Sequence, residues 1–349
     1  MPDANRPTNV PSLFNGTNFQ LYSAMFIFLK NIGQAVSCGC EKKNADDFFV
    51  DLRNGKRIIG QAKSSNSGAQ LTDKPHTADF EDGIRNLILK NTPNVSSLMI
   101  TFNYYRPLGL INFYDLAHYC PKAYSQIPKE GREKIQSFLS IDDRTKFESI
   151  SSKFSLVYIP FASSDEDSEK FRPFLELLKE TFSYCAGRDM VSRRMLDAWF
   201  LLFASDASMP NLVITAQDLA AVSFVSASRE PDGEFLSDFS FYASLSFSNK
   251  DELVSWLQSF LASRTLSFFD VNQIVQAFAS SNVAQKAGLS DTTVIDQYLA
   301  SLVSVPSRWS TVFSHYGGGV SDLDLYKALV AYLISYREKL LKFQEAFNL

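Results

Sequence analysis

The segment DFFVDLRNGKRIIGQAK, residues 47–63, decides the fold of the N-terminal part of the chain. Two β-prone runs, Phe48–Leu52 and Arg57–Lys63, flank the dipeptide Asn54-Gly55. Asn-Gly between two such runs is one of the strongest short-range signals for a hairpin, because both residues tolerate the positive φ angles of a tight turn. The segment therefore predicts two antiparallel strands joined by a short turn.

The flanking sequence extends this hairpin to the order α-β-β-β-α-β over about the first hundred residues. Residues 17–31 carry apolar side chains at helical spacing, with Thr17 or Asn18 as a candidate cap, and predict an amphipathic helix. The other elements are a β-like stretch, a second helix and a buried strand, at Ala35–Cys38, 79–91 and Ser97–Phe102.

The second strand of the hairpin carries two polar side chains on one face. Side chains alternate along a strand, so Gln61 and Lys63 point the same way, while Gly60 and Ala62 point to the other side. Taken alone, a Gln-x-Lys pair more often marks a solvent-facing edge than a site. A carboxylate on the neighbouring strand changes that balance.

Which carboxylate faces this pair depends on the length of the turn. A three-residue loop places Asp47 directly across from Gln61, whereas a strict two-residue loop places Asp46 across from Lys63. We favour Asp47, because the apolar strand follows it immediately. Either register brings one carboxylate beside Gln61 and Lys63.

These three residue types suit phosphodiester hydrolysis. Mg²⁺ prefers oxygen ligands and keeps several waters, so one carboxylate and one amide oxygen, from Asp47 and Gln61, are sufficient protein ligands. Lys63 would position the attacking water and stabilise negative charge on the phosphate. The pattern predicts a catalytic set of Asp47, Gln61 and Lys63 with Mg²⁺ or Mn²⁺ as the cofactor.

The order of elements and the D-x₁₃-Q-x-K spacing resemble the PD-(D/E)xK, or restriction-endonuclease-like, nuclease superfamily, in the variant with Gln in the acidic position. The stretches GTNFQ (16–20) and DDFFVDLRNGKRIIGQAKSS (46–65) are similar to the nuclease domain of Cap4-like antiviral effectors of the CBASS and Lamassu defence systems. The resemblance implies that Gln20 contributes to the metal site. It covers roughly residues 12–105, and the Gln form occurs in both active and degraded members.

The resemblance also implies partners. The length and helical second part are most similar to the nuclease subunit of Lamassu, whose relatives sit on an SMC-type ATPase complex and act on double-stranded DNA once released or oligomerised. We therefore expect a nuclease domain over residues 12–130 and a mainly helical domain over 131–349 for regulation, oligomerisation or partner binding. The competing interpretation is a non-catalytic adaptor that keeps the fold to bind DNA or a partner.

The composition of the chain excludes several classes of protein. The formal net charge is −4, which argues against a protein that coats nucleic acid through bulk charge. The four cysteines are too few for a disulfide framework, and neither a signal peptide nor a membrane-spanning stretch is evident. The sequence thus predicts a cytoplasmic protein without a membrane partner.

Overall fold

The computed structural model describes most of the chain, and the statements below concern only those residues. They are 10–40, 47–64, 77–103, 108, 110, 118–161, 171–187, 191, 193–208, 213–263, 266–284, 291–314 and 318–349. The chain divides into two compact units. Unit 1 comprises residues 1–181, 196–216 and 348, and unit 2 comprises 182–195, 217–347 and 349.

Unit 1 is built on a seven-stranded mixed sheet of order β5-β6-β4-β3-β2-β1-β7 within the described part of the chain. The neighbours β3, β4 and β6 run parallel, and the other adjacent strands pair antiparallel. The strands are β1 Ala35–Cys40, β2 Phe48–Leu52, β3 Arg57–Lys63, β4 Val95–Phe102, β5 Cys120–Ala123, β6 Phe154–Tyr158 and β7 Ile214–Thr215.

Helices cover both faces of this sheet. Helix α1, Val10–Lys30, packs against β1, β2 and β3. The opposite face is covered by α2, Thr77–Lys90, together with α3, Lys129–Phe138, and α4, Ile141–Ile150. The order α-β-β-β-α-β over the first hundred residues is therefore confirmed.

Helix α1 differs from its prediction in two respects. It begins at Val10, so Thr17 and Asn18 lie inside the helix and do not cap it. Residues 18–29 are all buried, so the helix is enclosed on every side and is not amphipathic. The fully buried Tyr22 donates its hydroxyl to the carbonyl oxygen of Pro160 at 3.0 Å, which satisfies the polar end of a core side chain.

The sheet continues past the predicted domain boundary at residue 130. Strand β6 lies between β4 and β5, and β7 pairs with β1. The compact units therefore do not follow the predicted ranges 12–130 and 131–349. Long-range strand pairing sets this boundary, and no local composition change marks it.

Unit 2 is helical, as expected for the C-terminal part. The central helix α14, Asp322–Ser335, is packed by α10, Phe247–Ala262, α11, Phe268–Ala279, and α12, Asp291–Ser301. The other helices of the chain after β6 are α5 Arg172–Ala186, α6 Arg193–Ser208, α7 Ala216–Ala227, α8 Gly233–Ser237, α9 Ser240–Ala243, α13 Ser307–Phe313 and α15 Arg337–Ala346.

Residues 322–347 carry leucines at helical spacing, a pattern that fits either a docking surface or a core, and the structure places them in the core of unit 2. Leu325, Leu329, Leu333 and Leu340 are each at most 2% exposed. This helical segment is divided at Tyr336 into α14 and α15. These leucines are therefore not available to dock a partner.

Candidate active site

The hairpin adopts the three-residue turn. The amide of Leu52 donates to the carbonyl oxygen of Lys56 at 2.8 Å, and Gly55 has a φ of 74°. This left-handed conformation favours glycine. The strands pair Phe48 with Gly60, and continuing this register by one residue sets Asp47 opposite Gln61. Asp46 lies outside the described residues.

An ion pair braces the hairpin near its turn. Arg57 Nε lies 2.6 Å from Asp51 Oδ1, and its terminal Nη2 lies 2.9 Å from Oδ2, so the contact is bidentate. The guanidinium also lies 4.3 Å from the centre of the Phe49 ring. Both contacts join β2 to β3 and stabilise their pairing register. The same register sets the relative positions of Asp47 and Gln61 at the other end of the hairpin.

At that other end, Asp47 is held by two hydrogen bonds. The amide of Ala62 donates to Asp47 Oδ2 at 2.6 Å. Gln20 Nε2, from helix α1, donates to the backbone carbonyl oxygen of Asp47 at 2.9 Å. Gln20 thus contacts Asp47 through its amide nitrogen and a backbone carbonyl, and its contribution to the metal site stays a prediction. The Asp47 carboxylate is therefore oriented by the backbone amide of the residue that lies between Gln61 and Lys63 on β3.

Gln61 is the unusual residue of this group. It is 2% exposed, and its Oε1 atom is buried without a hydrogen-bond partner among the residues that the structure describes. Leaving a buried carbonyl-type oxygen without a donor costs about 1–3 kcal/mol. Such an atom is uncommon in a core and is a natural ligand for a cation.

Lys63 and Gln61 converge beneath Gly83 of helix α2. A Cβ atom built on Gly83 would lie 3.3 Å from Lys63 Cε and 3.4 Å from Gln61 Oε1. Both side chains therefore approach the same point of the face that α2 covers, where Ile59 joins the apolar cluster. Glycine in a helix interior costs about 1 kcal/mol relative to alanine, and here it leaves room above the two polar groups.

The backbone of Gln61 is fixed from the face that α1 covers. The Thr101 hydroxyl oxygen lies 3.2 Å from the carbonyl oxygen of Gln61 and 3.1 Å from the hydroxyl oxygen of Ser23. The Thr101 hydroxyl is the donor toward both oxygens, and its single proton serves one of them at a time. Both hydroxyl-bearing residues are fully buried, so this link orders the strand at the site.

The donor set fits Mg²⁺ or Mn²⁺ better than zinc. No group of three or more His, Cys, Asp or Glu side chains in the described ranges is arranged to hold a metal ion. A site here would therefore consist of the Asp47 carboxylate and the Gln61 amide oxygen, with water in the remaining positions. Mg²⁺ typically retains several waters and needs one or two carboxylates. The unpartnered oxygen of Gln61 is consistent with that arrangement.

Comparison of the chain with protein-family models, curated proteins and solved structures gave no match. The assignment of this site therefore depends on its own geometry and chemistry.

Replacement of Gln61 by Met is expected to raise stability and to abolish metal binding. The apolar side chain removes the unpartnered oxygen, so the free energy of unfolding should rise by about 1 kcal/mol in urea titrations with EDTA present. Calorimetric Mn²⁺ binding should be abolished, because a thioether does not replace an amide oxygen. Gln61→Glu, which supplies a carboxylate, should instead bind Mn²⁺ more tightly.

The matched control is Gln258→Met, because Gln258 Nε2 donates to the carbonyl oxygen of Pro231 at 2.8 Å. Removing that hydrogen bond should lower stability or leave it unchanged. Unaltered Mn²⁺ binding in Gln61→Met, together with lower stability, would show that Gln61 is an ordinary core residue.

Proposed function

We propose that this chain is a metal-dependent DNA endonuclease. The observation that carries the proposal is the buried, unpartnered Oε1 of Gln61, which lies beside Lys63 on the strand that also orients the Asp47 carboxylate. A carboxylate, an amide oxygen and an ammonium group at one end of a hairpin are the groups that hydrolysis of a phosphodiester requires.

Each residue has a distinct role in this proposal. Asp47 and Gln61 would hold the divalent cation, with Gln20 supporting Asp47 through its backbone. The bound cation would lower the pKa of a water molecule and offset charge on the phosphate. Lys63 would orient the attacking water and stabilise the developing negative charge. The hydrogen bond from Ala62 keeps the Asp47 carboxylate in place, so little reorganisation is needed when substrate binds.

The biological setting follows from the resemblance noted above. We propose that the enzyme is a cytoplasmic effector of a prokaryotic defence system that cleaves double-stranded phage or plasmid DNA. Partner subunits, such as an SMC-type ATPase complex, would hold it inactive until release or self-association. No helix in the described ranges has the length and apolarity needed to cross a membrane.

The test is cleavage of supercoiled plasmid by the full chain in Mg²⁺, Mn²⁺, Ca²⁺ or EDTA. Nicked or linear product in Mg²⁺ and Mn²⁺, with none in EDTA, is the expected result. Retention of the plasmid on native gels without cleavage in either metal would favour the adaptor. The observation that favours the adaptor is that the described residues include no group of three or more His, Cys, Asp or Glu side chains that could hold a metal ion.

Activity is expected to rise more steeply than linearly with protein concentration. The net charge of −4 gives a single copy little attraction for DNA, and self-association would add avidity. Cleavage rates and light-scattering mass should be measured across the same concentration range. Full specific activity in a sample that stays monomeric throughout would contradict the role of self-association. It would not contradict the proposed metal site.

A further inference from the structure

A cationic groove lies on the helices that cover the same sheet face as Gln61. It has a volume of about 540 Å³ and runs between the turn before α3, helix α3 itself and α4. We call it the α3–α4 groove, and its lining residues are Tyr124, Lys129, Arg132, Glu133, Gln136, Ser137 and Arg144.

The floor of the groove is held firmly. Gln136 Nε2 donates to the Tyr124 hydroxyl at 3.2 Å. The Tyr124 ring packs edge-on against the buried ring of Phe147, with ring centres 5.2 Å apart. The floor of the groove is therefore built on the core of unit 1.

The walls of the groove carry three cationic side chains, Lys129, Arg132 and Arg144, and one carboxylate, Glu133. Lys129 lies 3.7 Å from Glu133, but both side chains are mostly exposed, so this ion pair is weak. Arg144 Nε donates to the carbonyl oxygen of Leu139 at 3.0 Å, which steadies the guanidinium and leaves its terminal nitrogens for another acceptor. The groove keeps an excess of positive charge in a chain that is acidic overall.

Arg132 is the most informative of the three. It is half-buried, and its guanidinium forms no hydrogen bond or ion pair with any residue that the structure describes. An arginine can pack its aliphatic stem against the protein while its guanidinium stays accessible to an external acceptor. A guanidinium presents paired N–H donors in a plane, which matches the two free oxygens of a phosphodiester better than a lysine does.

The groove lies on helices that cover the same face of the sheet as Gln61. Helices α3 and α4 pack on the apolar cluster that also contains Ile59, two residues before Gln61. We infer that the α3–α4 groove binds the phosphodiester backbone of the DNA substrate. This inference rests on the proposed function and adds to it the surface that holds the substrate.

The experiment compares Arg132→Gln/Arg144→Gln with the wild type, using a fluorescent 20-base-pair duplex in Ca²⁺ across a range of salt concentrations. Removing one cation that binds a phosphate lowers the slope of log affinity against log salt by about 0.9. We expect a decrease of about 2 in that slope and an affinity that is weaker by about tenfold or more at 0.1 M salt. Calorimetric Mn²⁺ binding should be unchanged, since Asp47 and Gln61 are intact.

Lys56→Gln/Lys146→Gln is the matched control, because it removes the same charge from exposed residues outside the groove. An equal weakening in this control would mean that bulk charge alone binds DNA and would overturn the inference. Competition by ATP that depends on Arg132 and Arg144, with duplex binding unaffected, would assign the groove to free nucleotides and also overturn it. A duplex affinity that depends on the groove in a protein that never cleaves would support the groove and refute the nuclease.

Discussion

Asp47→Asn is expected to lower the rate of plasmid cleavage by about 100-fold or more while the fold stays intact. Asparagine retains an oxygen that can accept the hydrogen bond from the Ala62 amide, which is 2.6 Å long in the wild type. The substitution therefore removes the charge and leaves the anchoring hydrogen bond. Initial rates in Mg²⁺, together with thermal unfolding in EDTA, measure the two effects separately.

Lys63→Ala tests the same site from the other strand, and a decrease of similar size is expected. The control for this variant is Lys56→Ala, which removes an exposed lysine at the turn end of the hairpin. The control for Asp47→Asn is Asp251→Asn, which removes an exposed carboxylate from helix α10. Wild-type cleavage rates in both Asp47→Asn and Lys63→Ala would show that the site is assigned to the wrong residues.

Gly60→Ala is expected to destabilise unit 1 by about 2–3 kcal/mol through overpacking. A Cβ atom at Gly60 would lie 2.0 Å from Phe48 Cζ, and 2.4 Å and 2.6 Å from its two Cε atoms. Phe48 is fully buried, so its ring cannot swing into solvent to make room. Urea titration of Gly60→Ala and of the control Gly33→Ala measures the loss in free energy of unfolding for each variant.

Gly33 is a suitable control, because nothing lies within 4 Å of the position its Cβ would take. Its replacement should change the stability by less than about 0.5 kcal/mol. The double variant Gly60→Ala/Phe48→Leu should recover part of the stability, since a smaller side chain frees the space that the methyl group needs. A neutral Gly60→Ala variant would mean that the ring does not pack over this strand.

The local elements of the N-terminal part could be predicted because their signals are short-range. Asn54-Gly55 set the hairpin, and strand alternation placed Gln61 and Lys63 on one face. The choice between Asp46 and Asp47 could not be made from the sequence, because both turn lengths fit it. A single backbone hydrogen bond, from Leu52 to Lys56, distinguishes the two registers.

The residues that hold the candidate site in place are harder to predict from the sequence. Gly83 was visible as a glycine within a helical pattern, and such a glycine often marks a close packing contact. The link from Ser23 through Thr101 to Gln61 joins residues 40 or more positions apart. No spacing rule relates them, because only the packing of α1 on the sheet brings them together.

The extent of unit 1 was the largest feature that the sequence did not reveal. Strand β7 has two residues, and so short a β-prone run does not identify its partner strand. Strand β6 was visible as a β-prone run, but its place between β4 and β5 depends on tertiary pairing. The C-terminal leucine stripe was likewise ambiguous, because a buried stripe and a docking stripe have the same spacing.

The pairing of β1 with β7 has a consequence for synthesis of the chain. About 170 residues separate Cys40 from Ile214, and ribosomes add roughly 5–20 residues per second. The outer edge of β1 therefore stays unpaired for roughly 10–35 s during each round of translation, until β7 has been synthesised. An open strand edge is a template for pairing with other chains, so nascent copies on one polysome are exposed to aggregation throughout that interval.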